Sequence, residues 1–385
     1  MAATHNRGVI TTVTDTTNIK LDIDEAIDFL SPTDVPILDL IGRDSLRSAC
    51  TQVKHEWLED ELRGREGTLL SAYTAGSGTM TLASGEGKYL YPDDLLMVAN
   101  VIYRVNSGPP DSDTILVSVE GGTDASAAAD AAWRKISHSS QEGGNARTDP
   151  TKTTLVKPYN YTQILKDWAL ITGTMKVIDR YGYASEWEYQ MEKTLKQLAI
   201  DLEYLLIYGV RQYTEGPPRK SSAGGLMQYV LLEGITNSWD TVINAASGDL
   251  TESLLNTALQ EMWEAGGNPD FVLVNGTNKR RFTDWASPRI RTAQGERKAG
   301  SAIYTYESDF GVIDIVLDRW LRPSDVILGS RGSWGIGPLT GRAFTSRMLP
   351  STGDYDWWEI LGEYTMEVHK PKIDFAWIYG TSTTY

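Results

Sequence analysis

Cysteine occurs once in the 385 residues, at Cys50, so no disulfide can close within the chain. Histidine occurs four times, at His5, His55, His138 and His369, and no two stand near each other in sequence. No H-E-x-x-H, C-x-x-C, G-x-S-x-G or P-loop pattern is present, which removes the usual sequence signatures of metal, redox and nucleophile chemistry. No apolar run reaches the roughly 20 residues of a membrane span. The first twenty residues are Thr-rich and hold no apolar signal-peptide core. Basic charge is also scarce. Lys and Arg number 36 against 51 Asp and Glu, a net of −15. The deficit is uneven: residues 1–150 carry 12 against 23, a net of −11, and residues 151–385 carry 24 against 28, a net of −4. Such a chain does not coat nucleic acid non-specifically, because phosphate contact needs basic groups.

What is present is organised around one stretch, Tyr183–Gly209. Ser185 and Glu188 form an S-x-x-E capping box. Trp187, Met191, Leu195, Leu198, Leu202 and Leu205 recur at three- and four-residue steps and predict one apolar face of a long helix. Gly209 supplies the stop, where a left-handed residue is expected. About 23 helical residues span roughly 35 Å, well above the globular average.

Around this helix the composition changes in blocks. Residues 1–45 read as an extended arm, with a short apolar helix near 21–30 and breaks at Pro32 and Pro36. Residues 46–182 read as a long excursion. Within it, from Gly76 to about residue 147, short strands (Thr79–Leu82, Leu95–Val98, Val101–Val105, Ile115–Val119) alternate with Gly and Pro turns and predict an inserted β module. Residues 150–182 are extended chain with few local partners, and Trp168, Ile171 and Met175 are candidate subunit contacts. Residues 183–221 hold the long helix. From 222 to 345 the pattern is α/β: a helix capped by Thr251, a buried strand at Phe271–Asn275, a shorter helix near Thr277–Trp285, then three strands. Residues 346–385 supply two strands around Pro371, apolar and aromatic enough to be core. The fold class is α+β.

Two charged features invite a function. The run Glu59, Asp60, Glu61 lacks His or Cys at ligand spacing and reads as a solvated face. Lys279, Arg280, Arg281, Arg289, Arg291, Arg297 and Lys298, interleaved with Phe282 and Trp285, suit either nucleic acid or the acidic groups of a neighbouring subunit. In a chain of net −15 the stronger reading is that these groups pair with a neighbouring subunit's acids or are solvated.

The order of these blocks resembles the Hong Kong 97-type (HK97-like) major capsid protein of tailed phages, and several motifs resemble one such family. Ser31–Gly42, SPTDVPILDLIG, is similar to its N-terminal motif. His55-Glu56-Trp57 through Glu59-Asp60-Glu61-Leu62 is similar to its E-W-x-x-D-x-L. Asn160-Tyr161-Thr162-Gln163-Ile164, Thr172-Gly173-Thr174 and Tyr181-Gly182 are similar to the run before its long helix. Gly121-Gly122-Thr123 with Ala127–Ala129 is similar to a motif of its inserted β module. The match covers roughly residues 20–235, and the last third matches by architecture.

The resemblance implies a subunit of an icosahedral shell around double-stranded DNA, located in the virion and made in the host cytoplasm. Residues 1–45 would be the arm, 46–182 the extended loop with its 76–147 insertion, 183–221 and 346–385 the peripheral (P) domain, and 222–345 the axial (A) domain. It implies no catalytic residue, cofactor or metal. Its implied partners are copies of itself in hexamers and pentamers, decoration, scaffolding and portal proteins, and DNA held without sequence specificity on the inner face, with no membrane. No motif places the Lys–Asn cross-link that joins some relatives. The competing readings are a hydrolase whose site has no sequence motif, and a carbohydrate- or surface-binding protein using the β module, which 12 Trp and 19 Tyr would suit.

Overall fold

Among the described residues, long helix α3, Glu186–Tyr208, is the third of five α-helices; α1 is Pro36–Ile41, α2 Gly173–Val177, α4 Glu252–Glu264 and α5 Gly276–Ala286. The computed structural model describes residues 34–42, 45–60, 62, 64–107, 112–140, 142, 155–178, 185–232, 241–286 and 305–384. The chain forms two units, Leu58–Lys157 and a larger one made of Met1–Trp57 with Pro158–Tyr385.

In the larger unit, the Ser185 hydroxyl accepts the Glu188 amide at the start of α3. The buried side chains are Thr194, Leu198, Leu202, Glu203, Leu206 and Ile207. Met191 and Leu205 are partly buried against the same core, and Trp187 stacks on Trp358. Leu195 departs from the predicted face, at 43% exposure. It sits about 100° round the helix from buried Thr194. Gly209 also differs from expectation. Its φ is −53°, so no left-handed residue is required. Glycine is needed for space: a Cβ there would lie 2.5 Å from the Leu205 carbonyl oxygen, and one on Gly225 only 2.3 Å from it.

Two sheets flank the helix. One is antiparallel, with Tyr355–Val368 at its centre. Gln163–Thr172 pairs along one edge of that strand, and Trp334–Pro338 and Thr345–Leu349 along the other. Residues 163–172, expected to lead away from the core, are therefore a strand of it. The other sheet has six strands in the order Val242–Asn244, Phe375–Tyr379, Val326–Gly329, Phe271–Val274, Gly311–Leu317, Thr305–Ser308. Phe271–Val274 and Val326–Gly329 are buried at every residue, as two-sided burial demands. Phe271, Leu273 and Ile327 join the core beneath α3, while Val272, Val274, Val326 and Leu328 join a second core with α4 and α5. Phe375–Tyr379 lies inside this sheet, between Val242–Asn244 and Val326–Gly329, and its Phe375 and Trp377 side chains pack in the core beneath α3. Its residues are apolar throughout and buried through Ile378, as a central strand requires.

Segment 34–42, read as arm, also packs on its own chain. Pro36 starts α1 rather than breaking the chain, since proline suits the first helical position. Ile37 and Leu38 enter the core with Leu202 and Leu206. The earlier part of the arm, including the helix expected near 21–30, lies outside the described residues.

The smaller unit, Leu58–Lys157, is a six-stranded antiparallel sheet in the order Glu66–Thr68, Ala132–His138, Asp94–Val98, Val101–Ser107, Thr114–Gly121, Thr79–Thr81. The Leu70 amide donates to Thr81 O and the Ala83 amide to Thr68 O, each at 2.9 Å, so the two edge strands join and the sheet closes into a barrel. Leu69, Met80, Leu96, Tyr103, Ile115 and Trp133 fill it. The composition boundary at Gly76 misses Glu66–Thr68, a three-residue strand too short and polar to read as one. Ala99 and Asn100 have φ of 46° and 66°, the two left-handed residues of a tight hairpin. Buried Asp94 is bonded to Lys135 and His138 across adjacent strands.

Candidate subunit-contact surface

Strand Gln163–Thr172 alternates sharply. Leu165 and Ile171 are buried on the side that α3 covers, next to Ile360 and Trp358. Ile164, Lys166, Trp168 and Leu170 point the other way and are exposed, Trp168 at 55% and Leu170 at 53%. In register, Trp168 stands opposite Glu359 and Leu170 opposite Trp357, so this open sheet face continues through Tyr355, Trp357 and Leu361. Arg347 binds the buried Glu359 carboxylate, and Arg342 and Arg219 bind that of Glu363, so the acids on this face are neutralised and it presents largely apolar surface. Helix α2 follows directly. Thr172 accepts the Met175 amide as its cap, and Met175, Val177 and Ile178 are exposed. A groove of about 450 Å³ runs between Trp168–Thr172, Met175 and the α3 residues Glu186, Gln190 and Thr194.

Trp168 and Met175 thus lie on this surface, and Ile171 does not. At 5% exposure it is part of the core, placed on the inner face by the two-residue period of the strand. The basic cluster is divided too. Arg281 is buried: it donates to Asn278 Oδ1, Asp249 Oδ1 and the Thr384 carbonyl, tying α5 to the C-terminal segment. It is no contact for a neighbour. Arg280 is exposed on α5, and Lys279 is half-buried, with its ammonium pKa lowered by burial. Arg289, Arg291, Arg297 and Lys298 lie outside the described residues.

Several buried acids escaped the sequence reading, and two of them hold backbone amides of residues 37–47. Glu367 bridges His55 and His369, and its Oε2 also accepts the Arg47 amide at 3.2 Å. Hydrogen bonds to Cys50 and then Glu367 push His55 up to about 9. Burial opposes ionisation of Glu367, but His369, His55 and the Arg47 amide outweigh it and bring the carboxyl down to about 2. This cluster straps residues 47–55 onto the strand Tyr355–Val368. With Cys50 buried, it offers no accessible nucleophile. Glu203 is the second acid, buried on α3 beneath α1. Among the described residues there is no group of three or more metal-ligating side chains, and no helix is long and apolar enough to cross a membrane.

A family model described as the SU10 major capsid protein matches residues 9–381. The chain belongs to that family. A relative, the major capsid protein of Escherichia phage Phieco32, is 34% identical over 282 residues, spanning 60% of this chain and 78% of that protein. Among solved structures, one of Microbacterium phage Oxtober96 superimposes with a TM-score of 0.54 at 10% identity, covering 97% of this chain and 99% of that one. The capsid of a native GTA particle gives 0.54 at 9% identity, covering 97% and 100%. At such identities the structures speak for the fold, and that fold is HK97-like. The capsid protein is a shell-forming subunit of the virion that associates with copies of itself. Capsid subunits carry little sequence signal of their task, because contact surfaces need only apolar area and complementary shape.

Proposed function

We propose that neighbouring copies of the capsid protein meet through the open sheet face of Ile164, Trp168, Leu170, Trp357 and Leu361 together with α2. On this reading the subunits close into hexamers and pentamers around packaged double-stranded DNA, which they hold without sequence specificity, and the chain has no catalytic role. The supporting observation is the alternation of strand 163–172: Leu165 and Ile171 on its inner face are buried, while on its outer face Ile164, Trp168 and Leu170 are exposed apolar side chains beside Lys166. Apolar surface in one contiguous area is what a closed, repeated lattice buries. Portal, scaffolding and decoration proteins are further partners in this reading. The limits of P domain (183–221 and 346–385) and A domain (222–345) carry over as the working division.

Replacing Trp168 and Leu170 together by Ser tests the reading. Folding free energy is expected to change by about 0.5 kcal/mol or less per site, as for surface positions generally. Sedimentation is expected to show free capsomers or subunits in place of shells. Closed shells at normal yield from the double variant would overturn the assignment of this face.

A further inference from the structure

Glu203 lies on the buried side of α3 with no exposed surface. Its Oε1 accepts the Ile37 amide at 2.6 Å and its Oε2 accepts the Leu38 amide at 3.0 Å. These are first-turn amides of α1, which a helix leaves without internal partners. The residue that would ordinarily cap them, Val35, has no side chain to do so. The cap therefore comes from a carboxyl some 165 residues away in sequence. It is the polar fastening of a seat that is otherwise apolar, made by Ile37 and Leu38 against Leu202 and Leu206.

The surroundings of that carboxyl are acidic. Asp318, in the turn after Gly311–Leu317, is also buried; one of its oxygens accepts the Trp320 amide and the other has no hydrogen-bond partner. Asp39 stands on α1 itself, and Asp34, just before it, is paired with Arg319. Among the described residues, no Lys or Arg side chain pairs with Glu203. An ionised carboxylate here is thus held by two amides alone, against burial and neighbouring negative charge.

We propose that the seating of α1 on α3 is coupled to protonation of Glu203, making this contact a proton-linked latch for the N-terminal segment of the capsid protein. When α1 lifts, Glu203 meets water and behaves as an ordinary glutamate. When α1 docks, burial, opposed by the two amides and reinforced by Asp318 and Asp39, pushes the carboxyl up from 4.5 to about 8. The docked state therefore holds a proton that the open state releases. Docking is fully favoured below the open-state value and weakens as pH rises towards the docked value. The coupling is independent of which face neighbouring copies use.

Hydrogen–deuterium exchange on the full chain tests it. The peptide covering Pro36–Gly42 is followed from pH 5.5 to 9.5, with Val326–Gly329 as internal reference and exchange times corrected for base catalysis. One linked proton predicts that protection falls by up to about tenfold per pH unit until near pH 8 and then levels off. In Glu203→Gln the profile is expected to be flat. A flat wild-type profile, or the same slope in Glu203→Gln, would overturn the proposal. If Glu203→Gln does not fold, the wild-type profile decides alone: a fall that levels near pH 8 supports the latch, and no fall removes it.

Discussion

The indole of Trp187, in the first turn of α3, lies on that of Trp358, with ring centroids 4.1 Å apart and planes inclined by 29°. This stack fixes the start of the long helix to the central strand Tyr355–Val368. The Lys176–Asp356 ion pair lies beside it, linking α2 to the same strand. A double-mutant cycle of Trp187→Ala and Trp358→Ala is expected to show a coupling of about 0.5–1.5 kcal/mol in chemical denaturation, the usual range for an aromatic pair. A coupling near zero would mean that the two rings merely share a boundary.

Leu198 and Leu195 differ in sequence by one helical turn and in environment entirely, at 2% and 43% exposure. Leu198→Ala is expected to cost about 2–5 kcal/mol, from lost transfer energy and a residual cavity. Leu195→Ala is expected to cost about 0.5 kcal/mol. Thermal and urea unfolding of the two variants measure the contrast, and equal losses would place both on the covered face.

Arg280 and Arg281 are neighbours that serve opposite ends. Arg281→Ala removes charged donors to Asn278, Asp249 and Thr384, and is expected to cost about 2 kcal/mol or more. It should also raise exchange in the peptide that ends at Thr384. Arg280→Ala, on the exposed side of α5, is expected to leave the melting temperature within the surface range. A stable Arg281→Ala protein with a protected C-terminal segment would show that this tie is dispensable.

The strap at Glu367 has a pH signature. His55 is raised from 6.5 to about 9, so its contribution is complete below 6.5 and is lost as pH rises through 9. Glu367 is lowered from 4.5 to about 2, so its contribution is complete above 4.5 and is lost as pH falls through 2. The pair stabilises most between these limits, from about 4.5 to 6.5. Glu203 adds to the alkaline loss, so the comparison is His55→Gln against wild type. Denaturation midpoints from pH 4.5 to 9 are expected to converge as pH rises, because most of the stabilisation from the raised His55 pKa is lost by the time pH reaches that pKa. A constant gap would assign the effect of His55 to packing alone.

Much of the architecture is legible because it is written locally. The capping box of α3, the Thr251 cap of α4, whose hydroxyl accepts the Leu254 amide at 3.2 Å, and the buried run Phe271–Val274 each depend on side chains a few residues apart. Periodicity names a stripe but not what lies over it, which is why Leu195 reads as core and buried Glu203, off the stripe, is missed. Parity within a strand separates Trp168 from Ile171 only once the sheet and its covering helix are known.

The amino-acid sequence alone determined the element types, the acidic balance, the single thiol and the motif order that placed the chain among phage capsid proteins. Tertiary structure decided the rest. It closed the sheet of Leu58–Lys157 into a barrel, set Phe375–Tyr379 in the six-stranded sheet, buried Arg281, and brought His55, His369 and Glu367 together. Each of these rests on contacts between residues far apart along the chain. Such contacts take their energy from burial and from hydrogen bonds made in the absence of water, and neither exists until the separate segments have packed.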